Sequence, residues 1–243
     1  MFFKKKPLTF RFVTSNKSAF LYAKPDKGIK FFPKWWKDLA KGNRERETMD
    51  MTHCHGFLDL YKESIIVPLW SHLKITVGAK NTETYFWEFA DKISGIAEHP
   101  EWQRGSFMPN KDHQHVKLLS PWLLECDEDV SVLLLDSFYK DQQDGAVTMP
   151  GILKSKEMSA TNLNLILPRG DESKEYEFDL GHPIVQIIPL TERDFKIEHV
   201  LLSEAEFYDR CPVQLFSKYN RHTKALRVLK DDKPKCPFGF GGK

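Results

Sequence analysis

The chain is written in short apolar runs separated by turn residues. Leu8-Thr9-Phe10-Arg11-Phe12-Val13 alternates with a period of two, which places Leu8, Phe10 and Phe12 on one face of a strand. Further strand-like runs fall at 54–60, 64–69, 73–78, 84–90, 116–126, 130–138, 146–154, 161–167, 175–180 and 183–190, with Pro68, Gly78 and Asn81 among the residues that punctuate them. Residues 91–112, with Gly95, Pro100, Gly105 and Pro109, are less regular, and a helix at their start and a long surface excursion are equally compatible with them. Many short strands with turns between them predict a mainly β fold, a β-sandwich or a β-clip-like barrel, rather than alternating βαβ units. The clearest segment is Gly181-His182-Pro183, a turn that feeds the apolar run Ile184–Ile188, which Pro189 closes. Gln186 is the polar residue inside that run, and a buried amide must find hydrogen-bond partners.

After Arg193 the period changes. Ser203 and Glu206 have the spacing of a capping box, with Ser203 at the N-cap and Glu206 three residues on. Phe207, Leu215, Phe216, Tyr219 and Leu226 continue at helical spacing, and Pro212 marks a break. The expected organisation is a basic, aromatic N-terminal segment over 1–46, a β-rich core over 47–195, and a helical C-terminal extension over 196–243 with a Gly/Pro-rich tail.

Charge sharpens this division. Residues 1–46 hold 13 Lys or Arg against 3 Asp or Glu, residues 47–217 hold 15 against 29, and residues 218–243 hold 8 against 2. A basic head and tail thus flank an acidic body. The ends can dock on the body, within one chain or between copies, or they can touch phosphate. Protein partners or self-association, and nucleic acid through the basic ends, are the partner classes this allows. The head also contains Phe31-Phe32-Pro33-Lys34-Trp35-Trp36-Lys37-Asp38-Leu39. Burying such aromatic side chains stabilises by roughly 1.5–3 kcal/mol each, so an anchor packed on the core is expected. No apolar run approaches the roughly 18 residues of a membrane span. Met1–Pro7 lacks the apolar stretch of a secretory leader. Cys54, Cys126, Cys211 and Cys236 are widely spaced, which suits reduced thiols.

The candidate chemistry is sparse. His53/His55 and His113/His115 are two His-x-His pairs, and on a strand each pair would face one way and could share a metal. Cupins build metal sites on such a pair, with a glutamate and a distant histidine, but Leu119 stands four after His115 and no matching glutamate follows. Surface histidines without metal are the simpler reading. Asp59, Asn162, Asn164 and Gln186 are the candidate ligand-binding residues, polar side chains in or beside expected strands. No nucleophile elbow, Walker loop or dinucleotide fingerprint is present, and no catalytic residue or cofactor is expected.

The order Pro33-Lys34-Trp35-Trp36-Lys37-Asp38-Leu39, Cys54-x-x-x-Leu58-Asp59, Ile66-Val67-Pro68, Lys117–Leu123, Val130–Leu133, Pro150-Gly151-Ile152 and Gly181–Pro189 resembles an uncharacterised family of tailed phages of marine bacteria, with distant bacterial relatives. That resemblance implies a setting in the cytoplasm of an infected cell or in the virion, and no particular reaction. Gly56–Leu60, Pro150-Gly151-Ile152 and Gly181–Gln186 also look like the skeleton of dUTPase and dCTP deaminase folds. Lys154-Ser155-Lys156 stands where those enzymes carry a catalytic aspartate, so the likeness implies a β-clip-like fold without that enzymology. The preferred expectation is a phage-type binding, accessory or virion protein. The alternatives are a nucleotide or small-molecule binder and a cupin-like metal enzyme.

Overall fold

The computed structural model describes residues 6–42, 49–98, 112–141, 145–155 and 160–210. These residues are mainly β. The strands are β1 (Leu8–Thr14), β2 (Asp26–Lys27), β3 (Ile65–Pro68), β4 (Leu73–Val77), β5 (Tyr85–Phe89), β6 (Gly95–Glu98), β7 (His113–Leu119) and β8 (Leu123–Cys126). They continue with β9 (Ser131–Leu135), β10 (Val147–Thr148), β11 (Gly151–Lys154), β12 (Leu163–Pro168), β13 (Lys174–Phe178), β14 (Pro183–Pro189) and β15 (Phe195–Leu201). The helices are α1 (Lys17–Tyr22), α2 (Lys34–Gly42), α3 (His55–Lys62) and α4 (Glu204–Arg210).

Among the described residues the strands form four sheets, in the orders β15-β1-β8, β10-β12-β7-β6, β11-β9-β14-β3-β2 and β13-β4-β5. The arrangement is sandwich-like, and no sheet closes into a barrel. The inward sides of the strands share one core. Phe10, Phe12, Trp70, Trp122, Leu118, Leu165, Tyr176 and Phe178 are all buried in it. The alternation in the sequence is what allows this, because every second residue of a strand points to the same side.

Three expectations need correction. The run 54–60 is helix α3, not a strand. Phe57 and Tyr61 lie four apart, and on a helix both meet one aromatic cluster, which outweighs the short alternation around Leu58 and Leu60. The boundary placed at 195/196 runs through β15, which pairs in parallel with β1 from Phe195 against Leu8 to Leu201 against Thr14. The head is therefore part of a sheet rather than an appendage, and helix begins only at Glu204. Residues 116–126 are two strands, β7 and β8, because Pro121 and the buried Trp122 turn the chain between them. The capping box forms as read: Ser203 N–H donates to Glu206 Oε2 at 2.9 Å and Glu206 N–H to Ser203 Oγ at 3.4 Å. The readings for Pro212, Leu215, Phe216, Tyr219, Leu226, Cys211, Cys236 and the basic tail lie outside the described residues.

The aromatic head is a docked helix. Asp141 caps α2 from across the chain, accepting from Lys34 N–H at 2.9 Å and Trp35 N–H at 3.2 Å. The Trp35 indole N–H donates to the Tyr139 carbonyl at 3.0 Å. Phe32 stacks on Trp36 at 4.2 Å and on Tyr61 at 5.0 Å, and Phe57 meets Tyr139 edge-on at 4.7 Å. Trp35 and Trp36 are half-buried in this packing, not wholly enclosed.

Candidate functional site

Four amide or carboxylate side chains and four histidines were singled out by the sequence, and the fold sends them to different places. Gln186 lies on β14, the middle strand of the five-stranded sheet, and is 1% exposed. Its amide donates to the Leu60 carbonyl at 3.1 Å and to Ser64 Oγ at 2.8 Å. Leu60 sits in the last turn of α3, where carbonyls have no partner within the helix, so Gln186 fastens that helix end to the sheet. Gly28 closes the same junction: its N–H donates to the Ser64 carbonyl at 2.8 Å, and a Cβ there would collide with the Tyr61 carbonyl and Ser64 Oγ. The Tyr61 phenol is pushed up to about 12, chiefly by burial, with the Asp141 carboxylate adding to it. Asp59 lies on α3 and is exposed.

His53 ends a short 3-10 turn and His55 begins α3, so this pair has lost the strand geometry that would aim both rings at one metal. The His53 ring lies beside Asp50 as part of a local cap. His113 and His115 do share one face of β7. Among the described residues, no three His, Cys, Asp or Glu side chains come together as a metal site.

Asn162 and Asn164 are brought together with a partner the sequence did not reveal. Asn164 on β12 pairs across the sheet with Lys117 on β7, so both side chains stand on the same face. Lys117, Asn162 and Asn164 line one wall of a cleft of about 170 Å³, and Leu134, Leu153 and the turn Met149-Pro150-Gly151 form the other. Asn162 and Ala160 also border a second hollow of about 440 Å³, which is more apolar and runs beneath Phe207 and Tyr208 of α4.

The two carboxamides are oriented by the protein. Asn162 Oδ1 accepts from Ser120 N–H at 3.0 Å. Asn164 Oδ1 lies 3.2 Å from His115 Nε2, and since a carbonyl oxygen only accepts, that ring nitrogen carries the proton. With both oxygens engaged, what remains at the two Asn side chains is the amide NH₂ end. Neither Nδ2 has a hydrogen-bond partner among the described residues. Lys117 is the charged member of the lining. The wall therefore offers amide donors.

Comparison with known protein families, with curated proteins and with solved structures finds no match for this chain.

Proposed function

We propose that the protein acts by binding, and that the cleft between β12 and β11 takes a small ligand that presents hydrogen-bond acceptors: a carboxylate, a phosphate or a polarised carbonyl. The observation that carries this reading is the state of Asn162 and Asn164, whose oxygens are spent on Ser120 and His115 while their amide hydrogens line the cleft. Lys117 stands on the same face of the sheet. The adjoining apolar hollow gives room for a body larger than the acceptor head, as in a nucleotide or an organic acid. The setting we assign, an infected cell or a virion, rests on the order of segments shared with the marine phage family, and mass spectrometry of virions tests it.

The ligand itself is tested by thermal shift and calorimetry with inorganic phosphate, nucleoside monophosphates and small carboxylates, set against matched amines. A ligand at 100 times its Kd stabilises the folded state by about 2.7 kcal/mol. Acceptor anions should raise the melting temperature and amines should not. An equal response to both, or none to any anion, overturns the reading.

A further inference from the structure

The cleft and the apolar hollow beside it lie on one face of one sheet. Register sets Leu163 of β12 against Leu118 of β7, and both are buried in the core. Lys117 and Leu119 of β7 and Asn164 of β12 therefore point to the outer face. The cleft opens at Lys117 and Asn164, and the hollow at Leu119 and at Gly95, which β6 sets against Leu119. Asn162 and Ala160 border both. Residues two apart on a strand are about 7 Å apart, so one small molecule can reach from the first compartment into the second.

The border between the compartments is fixed. Thr161, wholly buried, donates its hydroxyl to the Trp122 carbonyl at 2.9 Å, so Ser120 Oγ is the donor in its 2.8 Å contact with Thr161 Oγ1. Ser120 Oγ accepts from Trp122 N–H at 3.2 Å, and Ser120 N–H holds Asn162. The turn between β7 and β8 is thus tied to the residues that lead into β12. The hollow changes character beyond that border. Leu119, Pro121, Leu123 and Ile93 line it, and among the described residues its lining holds no charged side chain. Ser94 Oγ at its rim donates to Asp91 and accepts from Trp70, and Asn16 Oδ1 caps α1. Phe207 and Tyr208 roof it, held by the capping box at one end of α4 and by Arg210, 2.8 Å from Glu125, at the other.

We infer that the ligand of this site is an aliphatic acyl compound, with its carboxyl or carbonyl head at the amide ends of Asn162 and Asn164 and its hydrocarbon chain in the hollow beneath Phe207 and Tyr208. This rests on the reading of the cleft given above and names the class of ligand. The argument is continuity: across Asn162, a wall of amide donors passes directly into an uncharged apolar hollow. A molecule that fills both changes from acceptor to hydrocarbon along its length. A nucleotide does not, because its sugar and base would set polar groups over Leu119, Pro121 and Leu123 and leave them unmatched.

Calorimetry of the full chain with straight-chain carboxylates from acetate to decanoate, and with the matched alcohols, reads the outcome. Each carboxylate should bind once per chain. Each added methylene should tighten binding by about threefold, short of the roughly fourfold of full burial, because Ile93 and Tyr208 leave the rim in water. The heat capacity change should grow more negative with length. Gly95→Leu fills the hollow, and a Cβ there meets only Leu119 Cδ1 at 3.6 Å, an ordinary contact. It should abolish the gain with length and leave acetate as in the wild type. Tyr208→Ala removes an exposed side chain and should reduce the gain, which carries the test if circular dichroism shows Gly95→Leu unfolded. Asn164→Asp should weaken every carboxylate by the same factor and keep the gain. Carboxylates that bind with no gain in length, or with a gain that neither hollow variant alters, overturn the inference and leave the cleft reading standing. Alcohols that bind as tightly as the acids, indifferent to Asn164→Asp, overturn both, as does a series in which nothing binds.

Discussion

Two regions of this molecule use carboxamides on strands, and they use them in opposite ways. At Gln186 the amide hydrogens are given to the Leu60 carbonyl and Ser64 Oγ inside a closed junction of helix, sheet and head. At Asn162 and Asn164 the oxygens are taken by Ser120 N–H and His115, and the hydrogens are left facing a cleft. The first arrangement is finished by the protein and the second is not. Since an unpaired polar group away from water is costly, hydrogen-bonding capacity left open in a concave place separates a candidate site from a structural polar residue better than residue type does.

The largest effect expected from breaking this contrast is at Gln186. Gln186→Leu keeps the volume nearly constant but strips the Leu60 carbonyl and Ser64 Oγ of their donor. Roughly 1–3 kcal/mol is at stake, chiefly for the Leu60 carbonyl, since Ser64 Oγ keeps its bond to the Tyr61 carbonyl. Urea unfolding should show a lower midpoint with an unchanged slope, while anion binding at the cleft stays as in the wild type. A variant as stable as the wild type would show that the junction is wet or plastic.

Tyr61 probes the same region by pH. Its phenol, 1% exposed, titrates near 12 in the folded protein against about 10 when free, because burial disfavours the phenolate. The raised value means the contribution to stability is complete below pH 10 and is lost as pH rises through 12. Two units correspond to at most about 3 kcal/mol. Stability should decline between pH 10 and 12, and Tyr61→Phe should flatten that decline. Phenolate absorbance for Tyr61 appearing near pH 10 in the folded protein would contradict the closed junction.

Much of the fold was legible in the sequence, for reasons these regions illustrate. β1, β4, β5 and β14 lie within runs whose apolar period or turn signals left one assignment. The segment holding Phe57 and Tyr61 satisfied strand and helix patterns alike, and only the aromatic cluster that receives α3 decides between them. The parallel pairing of β1 with β15 joins residues nearly a chain length apart, and nothing local marks it. The site divides likewise. Asn162 and Asn164 stand out as polar positions in an apolar strand, and Gln186 as a buried amide. Lys117 could not be joined to them, because cross-strand register brings it there. His53 and His55 misled because their spacing has meaning only on a strand.

The smallest effect on stability, and the most telling one, is expected at the cleft. Asn162→Asp and Asn164→Asp preserve shape and leave an oxygen facing Ser120 N–H or His115 Nε2, so the bonds that orient the side chains survive. What changes is the outward end, where an NH₂ donor becomes a carboxylate oxygen. At half-exposed positions the folded state should lose no more than about 0.5 kcal/mol. An anionic ligand, however, would exchange a hydrogen bond for a like charge, and its affinity should fall by tenfold or more, about 1.4 kcal/mol. Calorimetry on the two variants with the best anion from the ligand series checks this. Affinity lost with the fold intact separates the cleft from the Gln186 junction as a site of binding. Affinity unchanged in both variants would mean that the free amide ends do not face a ligand, and the contrast between the two regions would lose its functional meaning.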